Sequence, residues 1–271
     1  MNNKLFIFLL IVFETLTFNS FAQGDLYITP NRVVFEGRKQ KEMLSLANTG
    51  KDTATYSISF VQRRMNEDGS FTIIEVPDEG APFADAYLRI YPRQVTLAPN
   101  EGQTVVMQVR RTSDMKEGEY RSHLYFRSEK NYKPLGEERK DSVNTVSVNL
   151  IPIYGISIPI IIRTGNTEAT TSMSGLKLET KDQENNITFT LHRTGNSSVY
   201  GDFVVEYIPD RGKSIQVGAA NGVAVYTNLN KRNMPIKLQL TPEMDLSNGK
   251  IKVSYVGRDD RKVMSEAELQ L

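Results

Sequence analysis

"VSVNLIPIYGISIPIIIR", from Val146 to Arg163, is the stretch that decides the fold. It is nearly unbroken strand sequence, rich in the β-branched residues that suit a pleated, half-buried surface. Extended at about 3.3 Å per residue it would run roughly 60 Å, whereas an ordinary strand has about 5–6 residues. Its prolines, Pro152 and Pro159, lack amide donors, which favours an edge strand over a central one. Val146, Val148, Leu150, Pro152, Tyr154, Ile156, Ile158, Ile160 and Ile162 share one parity and so one face. Ile151, Ile153 and Ile161 make the other face apolar too. One sandwich cannot cover so long a strand on both faces and along its whole edge. An exposed apolar edge is normally an aggregation liability, so keeping one makes sense if a partner uses it. Val146, Val148, Leu150, Pro152 and Tyr154 are the expected lent side chains, and the later isoleucines are expected in the domain core and hinge.

Outward from that stretch, short alternating segments dominate. "DLYIT", "RVVFEG", "EMLSLAN", "ATYSISF", "FTIIEV", "YLRIYP", "TVVMQVR" and "YRSHLYFR" precede it, and such alternation reads as half-buried strand. "NTG" (48–50), "EDGS" (67–70), "APNEG" (98–102) and "KEGE" (116–119) read as turns. The charged residues 128–142 read as a loop before the long strand, and "RTGNTEATTSMSG" (163–175) reads as a polar connection. A second set follows: "NITFTLH", "GDFVVEYI", "GVAVYT", "MPIKLQL", "KIKVSYVG" and "SEAELQL". No window carries a helical stripe. The expected fold is all-β, with two tandem immunoglobulin-like β-sandwich domains. The expected boundaries are a first domain over 23–163, a linker over 164–174 and a second domain over 175–271.

The first residues, "MNNKLFIFLLIVFETLTFNSFAQGD", place Lys4 before the apolar run Leu5 to Phe13, then Ser20-Phe21-Ala22. That pattern predicts a signal peptide over 1–22, removed on export. The apolar run is far shorter than the about 20 residues a membrane helix needs, so no membrane insertion is expected after cleavage.

Composition removes several function classes. The chain has no cysteine, so disulfides, thiolate nucleophiles and cysteine metal sites are excluded. Net charge is +1, with charges of both signs spread along the chain, and no stretch looks like a nucleic-acid footprint. His123 and His192 each sit inside an alternating strand, and ordinary strand residues fit them better than metal ligands. "GKS" (212–214) lacks the glycine of a phosphate loop, since Tyr207 stands five residues before Gly212. No enzyme, metal or cofactor is expected.

"DLYITPNRVVFEG", "EMLSLANTGKDTATYSISF" with Asn48 at its turn, "LRIYPRQVTLAPNEGQTVVMQVRR" and "GEYRSHLYFR", followed by a charged loop and the long strand, resemble in this order the PapD-like periplasmic chaperones of pilus assembly. That class works by β-augmentation on an immunoglobulin-like sandwich. The resemblance implies an L-shaped pair of domains in the periplasm. It implies partners that are fimbrial subunits lacking a final strand, which the chaperone supplies before delivery to an outer-membrane usher. It also implies that two basic residues in the cleft hold the subunit's C-terminal carboxylate. The first maps to Arg32, whose fork of donors suits a carboxylate. The second, a lysine of the long strand, has no counterpart between Val146 and Ile162, and its position falls near Ser157 or Pro159. Either Arg163 folds back, or Arg32 acts alone with hydrogen bonds from Tyr154 or Ser157. Two readings from different classes follow. One is the chaperone. The other is a structural or adhesive surface protein whose long strand pairs internally or in a self-dimer.

Overall fold

The computed structural model describes residues 26–129, 153–181, 184–241, 244 and 248–271. Strands come first as β1 (Leu26–Thr29), β2 (Val33–Phe35), β3 (Lys41–Asn48), β4 (Ala54–Val61), β5 (Arg63–Met65) and β6 (Phe71–Ile73). Next are β7 (Leu88–Tyr91), β8 (Gln94–Leu97), β9 (Gly102–Val109), β10 (Gly118–Glu129) and β11 (Gly155–Thr164). The remainder are β12 (Ala169–Lys181), β13 (Glu184–Gly195), β14 (Val199–Ile208), β15 (Ile215–Val225), β16 (Lys231–Lys237), β17 (Lys250–Gly257) and β18 (Val263–Gln270). A single 3₁₀ turn, Asp85–Tyr87, is the helical content of the described residues, so none of their helices could cross a membrane.

The first sandwich packs sheet β1-β3-β9-β7 against sheet β2-β11-β10-β4-β8. Leu44, Leu46, Leu88 and Met107 from one sheet share a core with Phe35, Leu124, Phe126 and Ile160 from the other. Each such burial stabilises by about 1.5–3 kcal/mol. Asn48 closes the β3–β4 turn from inside: its side-chain amide donates to the Asp52 and Leu97 carbonyls at 2.8 and 3.0 Å, and its oxygen accepts from Gly50 N at 2.9 Å. Strand β11 lies antiparallel to β10, with Ile160 opposite Ser122. Its Ile156, Ile158, Ile160 and Ile162 face the core, as their shared parity requires. β2 covers its other edge in parallel, but only over Ile160, Ile161 and Ile162.

The second sandwich packs sheet β12-β13-β16 against sheet β15-β14-β17-β18. Its core holds an aromatic chain, Phe189 at 5.1 Å from Phe203 and Phe203 at 4.5 Å from Tyr255, ring centre to ring centre.

The structure differs from the expected segmentation in the second half. β12 begins at Ala169, inside the stretch read as linker. Its pairing with β13 shifts register between Ser174 and Lys177, where Gly175 has φ +68°. The extra residue breaks the two-residue period, so Met173, Leu176 and Leu178, which pack on the core, do not alternate in sequence. β16 likewise begins at Lys231, within "NLNKRN", read as a turn. The expected signal peptide and the expected lent residues Val146, Val148, Leu150 and Pro152 lie outside the described residues.

Candidate functional site

Three adjacent strands of the first sandwich build one face of a cleft. Val33 and Phe35 point into the core, so parity turns Val34 and Glu36 outward, and Arg32 precedes them on the same side. On β11 the outward set is Pro159, Ile161 and Arg163, which pair with His123, Arg121 and Glu119 of β10. Every second residue of β10 is thus polar, yet Glu119 is 2% and His123 4% exposed. The second sandwich covers them.

Glu119 is the centre of that contact. Its carboxylate accepts from Ser198 N at 3.0 Å and Ser198 Oγ at 2.8 Å, from Arg121 Nη2 at 2.5 Å and from Arg163 Nε at 3.3 Å. Burial pushes the Glu119 carboxyl up, but the two guanidiniums and the Ser198 donors together outweigh it and hold the pKa below the usual carboxylate range. Arg163 also donates to Ser198 O at 3.1 Å and to Glu36 at 3.4 Å. Its role in the fold is to tie the end of β11 to the second sandwich.

Beside this network lies a cavity of about 260 Å³, bounded by both sandwiches. Arg32, Arg121 and Arg232 line it, together with Phe71, Tyr200 and Tyr226. Arg163 does not line it, and among the described residues no carboxylate does. Arg32 stacks over the Tyr200 ring at 4.6 Å, and Arg121 over the Tyr226 ring at 3.6 Å. Burial, then the like charge of Arg121, lowers the pKa of Arg32. Arg32 pairs at 3.3 Å with Asp259, whose side chain is 78% exposed, so water screens the pair and it contributes about 0–1 kcal/mol. Arg232 donates to the Ala224 carbonyl at 2.7 Å. Among the described residues, the Nε groups of Arg121 and Arg232 are buried without a hydrogen-bond partner. Three guanidiniums and, among the described residues, no carboxylate give the cavity a positively charged lining.

The β5–β6 hairpin reaches across as a second bridge. Asn233 N donates to Glu67 O at 2.7 Å, and Asn228 Nδ2 to Met65 O at 2.9 Å. Phe71 lies 5.6 Å from the Tyr226 ring, and Gly69 at the hairpin tip lies on the Arg232 guanidinium.

The lending edge is the third part of the site. Among the described residues no strand pairs with the β2 side of β11 between Gly155 and Pro159. Ile153 and Tyr154, just before it, are 54% and 53% exposed, while Tyr154 O accepts from Ser128 N at 3.0 Å and continues the pairing with β10. Arg32 and the β11 edge are therefore brought together, with Pro159 lining the same cavity. Sequence reasoning missed Arg121, Tyr226 and Arg232. The polar parity of "EYRSHLYFR" on a strand buried on both faces was the signal for the first. Nothing local marks the other two.

No family model matches the chain, and no curated protein matches it. Solved structures do. The YadV chaperone is 12% identical with a TM-score of 0.46, over 92% of this chain and 100% of that chain. The CsuC-CsuE chaperone-tip adhesion subunit pre-assembly complex, from the archaic chaperone-usher Csu pili of Acinetobacter baumannii, is 12% identical with a TM-score of 0.47, over 90% of this chain and 98% of that chain. The class 5 fimbriae chaperone CfaA is 12% identical with a TM-score of 0.45, over 90% and 98%. The chain is similar to fimbrial chaperones.

Proposed function

We propose that the protein is a periplasmic chaperone that binds fimbrial subunits by donor-strand complementation and delivers them to an outer-membrane usher. The observation that carries this reading is the open β2-side edge of β11, which runs from the exposed Ile153 and Tyr154 into a cavity lined by three arginines. An open edge supplies ladder donors and acceptors, and alternate side chains supply specificity. A strand with only an edge to guide it slips easily, and a one-residue slip reverses every side chain. A carboxylate held by Arg32 would set the register. From Pro159 at the cavity to Tyr154 is roughly 17 Å of strand, so the cavity and the exposed Tyr154 belong to one continuous surface. Arg32, Tyr154 and the preceding Val146, Val148, Leu150 and Pro152 carry the proposed contacts. No cofactor or nucleotide has a part in it.

Co-expression with candidate subunits, followed by co-purification, tests the reading. The expected result is capture by the native protein and loss of capture by Arg32→Ala and Leu150→Asp, with both variants retaining the native melting temperature. Undiminished capture by both variants would sink it, and favour a structural protein that pairs through other surfaces.

A further inference from the structure

The two sandwiches are joined at places that differ in kind. Residues 165–168 connect β11 to β12, and Asn196 pins that connection. It donates from Nδ2 to Asn166 O at 3.0 Å and accepts from Glu168 N at 2.9 Å. Ser198, two residues on, holds the buried Glu119, and the stack of Arg32 on Tyr200 lies just beyond it. The chain connection and the buried carboxylate thus both act on the second sandwich through one short loop, 196–198, which suits a pivot. The β5–β6 hairpin takes hold elsewhere, on Tyr226, Asn228 and residues 231–233. We infer that this hairpin is a clasp: it fixes the angle of the second sandwich about the 196–198 pivot, and with it the width of the cleft.

Three observations support it. First, the hairpin grips an edge. β16 is the last strand of its sheet, and Glu67 O at the hairpin tip accepts from Asn233 N at 2.7 Å. Met65 O accepts from Asn228 Nδ2 at 2.9 Å, and Glu67 pairs with Lys231 at 3.3 Å. Second, the gripped end is stiff. Arg193 is 2% exposed and donates to Gly195 O and Ser197 O at 2.8 Å, to Leu229 O at 2.9 Å and to Thr227 O at 3.2 Å. One guanidinium therefore ties the pivot loop to the segment that the hairpin holds. Third, the hairpin is not self-sufficient. β5 and β6 form a two-stranded sheet of their own, with three residues in each strand, and such a hairpin is marginal alone in water. Met65 is nonetheless 2% exposed, so the order of the hairpin comes from docking, and folding and gripping are one event. The Lys231 and Glu67 side chains are 53% and 46% exposed, so that pair is weak beside the buried Glu119 network. The clasp opens before the pivot does.

Two sandwiches joined through a small polar contact move relative to one another unless something restrains them. The hairpin is that restraint, and its Met65, Gly69 and Phe71 also wall the cavity, so opening the clasp widens the cleft. The inference does not depend on the chaperone reading, because no subunit enters the argument.

The chain has no cysteine, so spin labels can be placed at chosen positions. The test uses the whole mature chain with Thr104→Cys on β9 and Glu179→Cys on β12, both exposed, and reads the distance between nitroxide labels by double electron–electron resonance. Without further change the expected result is a single narrow distribution. Asn228→Ala with Lys231→Ala removes two side chains of the grip and should widen the distribution roughly twofold or more, as released domains do. Phe71→Ala, from the hairpin side, should do the same. Ile73→Ser, at a hairpin position 66% exposed, should leave it narrow. Far-ultraviolet circular dichroism is expected to match the native spectrum throughout. If Phe71→Ala loses that spectrum, the Asn228→Ala and Lys231→Ala pair decides, since both side chains lie outside the two cores. A distribution as narrow in the grip variants as in the native protein overturns the inference. So does a broad distribution in the native protein, or equal broadening by Ile73→Ser.

Discussion

Glu119 of the first sandwich accepts two hydrogen bonds from Ser198 of the second, one from its backbone N–H and one from its hydroxyl. The same carboxylate pairs with both Arg121 and Arg163, so one buried anion joins three residues at the contact of the two halves. Removing one partner of a buried ion pair costs about 3–5 kcal/mol, because the other charge stays buried and unpaired. We predict that Glu119→Gln lowers stability by an amount of that order, read from urea denaturation at pH 7. A loss below about 0.5 kcal/mol would show the network to be of no consequence for stability, as for exposed pairs.

The same residue has a pH signature. Its folded pKa is held below the ordinary 4.5. A depressed carboxylate contributes stability that is complete above the unfolded value and is lost as pH falls through the folded one. Below pH 4.5 the native protein should therefore lose stability more steeply than Glu119→Gln. Parallel stability curves for the two proteins in that range would contradict the assignment.

His123 predicts a different window. Burial, then the charges of Arg121 and Arg63, pushes its pKa down to about 3 from 6.5. The unfolded chain takes up this proton near 6.5 and the folded chain does not, so stability falls as pH drops from 6.5 toward 3. The imidazole faces Tyr226 Oη at 3.1 Å and the Phe71 ring at 6.0 Å, between centres. The expected observation is an imidazole proton resonance that stays in its neutral position from pH 7 to pH 5. A midpoint near 6.5 by NMR titration would refute the buried, neutral assignment.

Gly155 makes room for a neighbour. A Cβ there would lie 2.2 Å from Tyr125 Oη and 2.3 Å from Tyr125 Cε2. Gly155→Val must push the ring aside where the open edge of β11 begins. Overpacking of this kind costs about 1–3 kcal/mol, which a melting curve reads directly. An unchanged melting temperature would mean that the ring moves at no cost and does not brace the edge.

The strands were legible wherever both requirements of a half-buried strand coincide, as in "EMLSLAN" and "GDFVVEYI", whose burial alternates residue by residue. β12 was not, because the register shift between Ser174 and Lys177 breaks the period that sequence reading depends on. Arg32 was legible through resemblance and local setting alone. Arg232 was not, since its part in the cleft comes from the Glu67 to Asn233 and Met65 to Asn228 hydrogen bonds, which join residues far apart in the chain.

What the sequence by itself determined is parity. The isoleucines of "GISIPIIIR" must alternate between two faces, and Ile156, Ile158, Ile160 and Ile162 do fill one core. It also determined the absence of a lysine in that strand. Only the tertiary structure decided which basic residues gather at the cleft. Arg163 is drawn off to Glu119 and Glu36, while Arg121 from the neighbouring strand and Arg232 from the opposite sandwich enter the cavity. Alternation is a local property of the backbone, but a charge cluster assembled across a cleft depends on which distant strands meet there.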